Sequence, residues 1–100
     1  MNLKTAIKDN VTILRLQEER LDNIVAADLK AHLLVLIEQG QKDILIDLAK
    51  VDYADSSGLG AILFGIRQAR PLNGRVKLIN PTSRVLSLIK IAKLDNVIEA

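Results

Sequence analysis

The stretch Asp55-Ser56-Ser57-Gly58-Leu59-Gly60 constrains this chain more than any other, because of what stands on either side of it. Before it runs an apolar segment, Ile44-Leu45-Ile46-Asp47-Leu48, that reads as a strand. After it, from about Leu59 to Arg70, apolar residues recur at helical spacing. A buried strand that empties into a short turn of acidic, hydroxyl and glycine residues and then a helix belongs to an α/β protein. Such turns are where these proteins place their chemistry. The rest of the chain reads as scaffold that holds this turn at the surface.

The 100 residues make one domain, 1–100, able to bury a single core with little stability to spare. With 49% of its residues apolar and only Tyr53 and Phe64 aromatic, that core must be filled by aliphatic side chains. No cysteine is present, which excludes disulfides and thiolate sites. His32 is the single histidine, so a His-based metal cluster is excluded. No apolar run reaches the ~18–20 residues of a membrane span, so no direct membrane insertion is expected. Met1-Asn2-Leu3-Lys4 has no signal-peptide character, and the cytoplasm is the expected compartment. The charges, 14 basic against 12 acidic, are scattered. A nucleic-acid binder would concentrate its basic residues on one face among stacking aromatics, so nucleic acid is not an expected partner.

In chain order, Leu3 to Lys8 and Val11 to Leu16 alternate as strands around Asp9-Asn10, a two-residue turn signal, and predict a β-hairpin. Gln17 to Arg20 reads as a polar loop. From Asn23 or Ile24 to about Gln39, Ala26, Leu29, Leu33, Leu36 and Ile37 form a helical stripe, with Asn23 as N-cap and Gly40 as stop. Asp43 to Leu48 has the pattern of a central strand, covered on both faces or paired on both edges. Ser57 to Arg70 is the second helix, with Leu59, Ile62, Leu63 and Ile66 on its apolar stripe. Beside that stripe, Gly58, Ala61, Gly65 and Ala69 make a strip of small residues that admits another backbone, from a neighbouring helix or a partner protein. Phe64 falls about 150° from the middle of the stripe and is expected to face outward. Pro71 ends the helix, Asn73-Gly74 turns, and Arg75 to Asn80 is a strand. Asn80-Pro81 caps a third helix marked by Val85, Leu86, Leu88, Ile89 and Ala92, and Val97-Ile98 could add a last short strand.

The order β-β-α-β-α-β-α with a final β implies one mixed sheet of four to five strands with helices on one face.

Enzyme readings find little support. Gly58-Leu59-Gly60 lacks the third glycine of a dinucleotide fingerprint, where Leu63 stands, and no phosphate-loop lysine follows. His32 lies mid-helix, away from the serines, and the turn is not Gly-x-Ser-x-Gly. No cofactor is implied. Ser56 and Ser57 read in two ways. Either hydroxyl could cap the helix, as could the Asp55 carboxylate. Yet one cap suffices where three candidates stand, and a hydroxyl at the lip of a turn is accessible to a kinase.

The strand, "DSSGLG" and the aliphatic helix after it resemble the STAS domain of bacterial anti-sigma factor antagonists, the SpoIIAA/RsbV group. "RLDNIVAADL", "NPTSRVLSLI" and "KLDNVIEA" resemble that family's first-helix region, third helix and C-terminal end, so the likeness covers essentially the whole chain.

The resemblance implies a non-enzymatic, phosphorylation-controlled partner switch acting in transcription regulation. The unmodified protein binds an anti-sigma factor that is also a serine kinase. Phosphorylation of the serine after the aspartate, here Ser56 with Ser57 the runner-up, releases it, and a serine phosphatase resets the site. Asp22 and Asp55 match acidic positions near the acceptor, and with Ser57, Gly58, Leu59, Gly60 and the outward-facing Phe64 they are the positions expected to face the partner. The alternative is a constitutive STAS assembly subunit of a transporter or signalling complex in which the serines only cap.

Overall fold

The structure, a computed structural model, describes residues 1–99. Nine elements follow one another: β1 (Leu3–Lys8), β2 (Val11–Leu16), β3 (Arg20–Leu21), α1 (Asn23–Glu38), β4 (Asp43–Asp47), β5 (Tyr53–Ala54), α2 (Ser56–Ala69), β6 (Arg75–Ile79) and α3 (Ser83–Ile91). Asp9 and Asn10, both at positive φ, make the tight turn of the β1–β2 hairpin. β2 then pairs with β4, and β4 with β6, both in parallel, giving a mixed four-stranded sheet in the order β1-β2-β4-β6.

Register and side-chain alternation decide which face is covered. Thr12, Ile44 and Val76 stand side by side across the sheet, as do Leu14, Ile46 and Leu78. All six are buried, and they share one core with Leu29, Leu33 and Ile37 of α1, Ala61 and Ile62 of α2, and Val85 and Ile89 of α3. The other face carries Ile13, Leu45 and Lys77 in one row and Lys4, Arg15, Asp47 and Ile79 in another, and is only partly shielded. Of the two alternatives for β4, pairing on both edges is therefore the one realised; only one of its faces is covered.

Three local expectations are corrected. The N-cap of α1 is Asp22 rather than Asn23, and that of α3 is Thr82 rather than Asn80. Asn80 instead takes a left-handed conformation and donates from Nδ2 to Asp47. Val97-Ile98 forms no strand: Ile98 makes a single parallel bridge to Leu78, with Asp95–Val97 in a 3-10 turn before it. Pro71 lies within another 3-10 turn, Arg70–Leu72, directly after α2. No helix is long and apolar enough to cross a membrane among the described residues.

The segment read as a polar loop also holds more order than expected. Arg20–Leu21 pairs in parallel with Tyr53–Ala54, a second, two-stranded sheet at the end of the first. This small pairing delivers the candidate site.

The candidate phosphoacceptor turn

β3 and β5 are each followed by an aspartate and then by a helix. Leu21 is level with Ala54, so Asp22 and Asp55, one residue further along each strand, begin α1 and α2 side by side. Main-chain bonds hold the arrangement: the Asp52 and Tyr53 amides donate to the Glu19 carbonyl at 2.7 and 3.1 Å, and the Asp55 amide to that of Leu21 at 3.3 Å. Both aspartates have the extended backbone of an N-cap. Asp22 Oδ1 accepts from the amides of Ile24 (3.2 Å) and Val25 (3.1 Å). Asp55 Oδ1 accepts from those of Ser57 (3.0 Å) and Gly58 (3.2 Å).

That pairing settles which group caps α2. Asp55 satisfies the amides that a serine hydroxyl would otherwise take, so Ser56 and Ser57 are not needed as caps. Both serines are exposed, and neither hydroxyl enters a hydrogen bond among the described residues. The turn thus offers a free hydroxyl beside a carboxylate, at the positive end of a 14-residue helix.

Gly58 and Leu59 point the other way. Both are buried, and a Cβ on Gly58 would lie 2.6 Å from the Leu21 carbonyl oxygen. Two turns later, a Cβ on Gly65 would stand 2.7 Å from Leu33 Cδ1. The small-residue strip Gly58, Ala61, Gly65 and Ala69 is wholly buried, so the backbone it admits belongs to this chain: β3 at one end and α1 above it. Phe64 is half-buried rather than turned fully outward, and the Lys30 ammonium of α1 lies 5.0 Å over its ring. Gly60 is exposed.

One feature of the surface was missed by sequence reasoning. Arg20 stacks on Tyr53, its guanidinium carbon 4.0 Å from the ring centroid, three residues ahead of Ser56. The available signal was the repeated order of a residue pair, an aspartate and a helix at Arg20-Leu21-Asp22 and Tyr53-Ala54-Asp55. His32 is exposed on α1, in keeping with a surface position.

A mixed sheet whose helices begin at capped turns, with an exposed serine directly behind the second cap, defines the class. The chain belongs to the STAS domain family, whose model matches residues 2–100. Among characterised proteins it is similar to the anti-sigma-B factor antagonist of Bacillus subtilis (strain 168), with 31% identity over 100 residues that cover 99% of this chain and 91% of the relative. Its fold matches that of the anti-sigma factor antagonist SpoIIAA in its unphosphorylated form, with a TM-score of 0.85 at 23% identity, covering 98% of this chain and 86% of that one. The phosphorylated form of the Bacillus SpoIIAA gives a TM-score of 0.77 at 22% identity, over 98% and 89% of the two chains.

Proposed function

We propose that this chain is an anti-sigma factor antagonist that binds an anti-sigma factor serine kinase while Ser56 is unmodified and separates from it once Ser56 is phosphorylated. The observation that carries this reading is the division of labour at the turn: Asp55 caps α2, and the Ser56 hydroxyl is exposed and free to react. In the transfer, Ser56 Oγ forms a bond to the γ-phosphorus of ATP as the β–γ bridge breaks. ADP leaves, and the hydroxyl proton passes to the kinase or to water. A phosphatase returns the hydroxyl by hydrolysis.

The switch follows from charge. Phosphate adds about −1.5 to −2 charges beside Asp55. In the free domain the α2 N-terminus tolerates that charge, because helix amides and dipole favour anions. In an interface that fits a neutral hydroxyl, like charges meet and must lose water, at a cost of several kcal/mol. About 2.8 kcal/mol already changes a dissociation constant a hundredfold. The similarity to the anti-sigma-B factor antagonist across nearly the full length of both chains supports the choice of partner.

The test is phosphorylation mapping by mass spectrometry with the purified anti-sigma factor kinase and ATP. Wild type is expected to gain one phosphate, at Ser56, and to dissociate. Ser56→Ala is expected to bind and stay bound. Stoichiometric phosphate on Ser56→Ala would overturn the assignment and move it to Ser57. No phosphate on either serine, with a stable complex throughout, would favour a constitutive assembly role.

A further inference from the structure

We infer that the shallow groove between the first turns of α1 and α2 receives a segment of the protein partner, its main chain against Gly60 and an acidic side chain turned to Lys30. The inference rests on the partner-binding reading above. It starts from a glycine that the fold does not require. Of the three glycines in α2, Gly58 is held by packing, since a Cβ would stand 2.6 Å from the Leu21 carbonyl oxygen, and Gly65 faces the Leu33 side chain at 2.7 Å. Gly60 is different. It lies in the helix with no positive φ, it is exposed, and a Cβ there would meet nothing within 4 Å. Glycine inside a helix is less stable than alanine because it surrenders more backbone freedom, and nothing within the domain offsets that loss here. What a missing Cβ provides at such a place is close approach from outside.

The surroundings say what approaches. Gly60 lies beside Ser57 on the wall of the groove, and Asn23, Ala27 and Lys30 of α1 form the opposite wall. Alanine walls and an absent side chain leave room for main chain and exclude little else. Ser57 is the neighbour of the phosphoacceptor, so the groove runs directly on from the switch. Lys30 is the one charged residue lining it, and among the described residues its ammonium has no carboxylate partner; it rests over the Phe64 ring instead. A positive group without a counter-ion at the rim favours a carboxylate on the incoming segment.

The experiment measures melting temperature, sedimentation, and affinity for the purified anti-sigma factor kinase retained by the wild-type domain, using Gly60→Ala and Lys30→Gln. Gly60→Ala is expected to raise the melting temperature by about 4–8 °C through helix propensity, yet to weaken binding about tenfold or more. Lys30→Gln is expected to melt close to wild type and to bind several-fold more weakly. A Gly60→Ala protein that is more stable and binds as tightly as wild type overturns the groove while leaving phosphorylation-controlled binding intact. A fall in melting temperature overturns it too, because the fold would then need the glycine. So does a wild-type dimer that Gly60→Ala dissociates, since a second copy would be the occupant. If the wild-type domain binds no anti-sigma factor kinase, the underlying reading fails along with the groove.

Discussion

Gly58 packs directly on the main chain of Leu21: a single added carbon would come to 2.6 Å from the Leu21 carbonyl oxygen and 2.7 Å from its Cγ. The turn that carries Ser56 is therefore seated on a neighbouring backbone as well as on the Leu21 side chain. The same carbonyl accepts the Asp55 amide, so one peptide group positions both the cap and the first turn of α2.

Replacing Gly58 with alanine is expected to destabilise the domain. Overpacking of this kind costs about 1–3 kcal/mol, of which helix propensity returns at most about 1 kcal/mol. Urea denaturation of Gly58→Ala should show a lower midpoint with an unchanged slope. A raised midpoint would mean that β3 moves aside freely.

Asp55 can be divided into cap and charge. Asp55→Ala removes the acceptor for the Ser57 and Gly58 amides and should cost about 0.5–2 kcal/mol by thermal melting. Asp55→Asn keeps a good cap and should melt within a few tenths of a kcal/mol of wild type. Because its fold is kept, Asp55→Asn also isolates the electrostatic part of the switch. Phosphorylation at Ser56 should weaken its complex less than it weakens the wild-type complex.

Asp47, at the end of β4, is buried and accepts from the Ala49 amide (3.0 Å) and Asn80 Nδ2 (3.3 Å), with Arg15 Nε 3.5 Å away. It joins the ends of β2, β4 and β6 just before the loop that leads to β5. Asp47→Ala leaves these donors without their acceptor, and should cost about 1–3 kcal/mol. Asn80→Ala removes only one of the donors and should cost less. Equal losses from the two substitutions would show that Asp47 matters only through Asn80.

The Met1 amine sits 2.9 Å from Asp28 of α1. The hydrogen bond to Asp28, then its charge, raises the amine's pKa from the usual 8.0. Because the folded-state value is the higher one, the pair's contribution is complete below pH 8 and disappears as pH rises through the folded pKa. The stability gap between wild type and Asp28→Asn should therefore be largest below pH 8 and close on further alkalinisation. A gap that stays unchanged as pH rises well above 8 would assign the effect of Asp28 to something other than this amine.

Most of the scaffold was legible because each long element repeats its signal. Leu29, Leu33 and Ile37 return once per turn, and Asp9-Asn10 specifies a hairpin through its tolerance of positive φ. β3 and β5 were not legible: two residues carry no period, and their order comes from each other across about thirty residues of chain. Cap identity slipped for a related reason. Asp22-Asn23 and Asn80-Pro81-Thr82 each offer adjacent capping residues, and tertiary contacts choose between them. At the Asp55–Ser57 turn, the three candidate caps are ranked by tertiary geometry, which places the Asp55 carboxylate over the Ser57 and Gly58 amides. The inward turn of Gly58 and Leu59 depends on β3, which the sequence pattern did not reveal.

The turn that carries Ser56 is seated on the Leu21 peptide, so a mark proposed at Ser56 would act first at that spot rather than across the sheet. A reader of this domain must touch the mark itself. On the proposed switch, copies would then count as tokens, present or spent, and a partner would respond to how many remain unspent rather than to how far any one of them has bent.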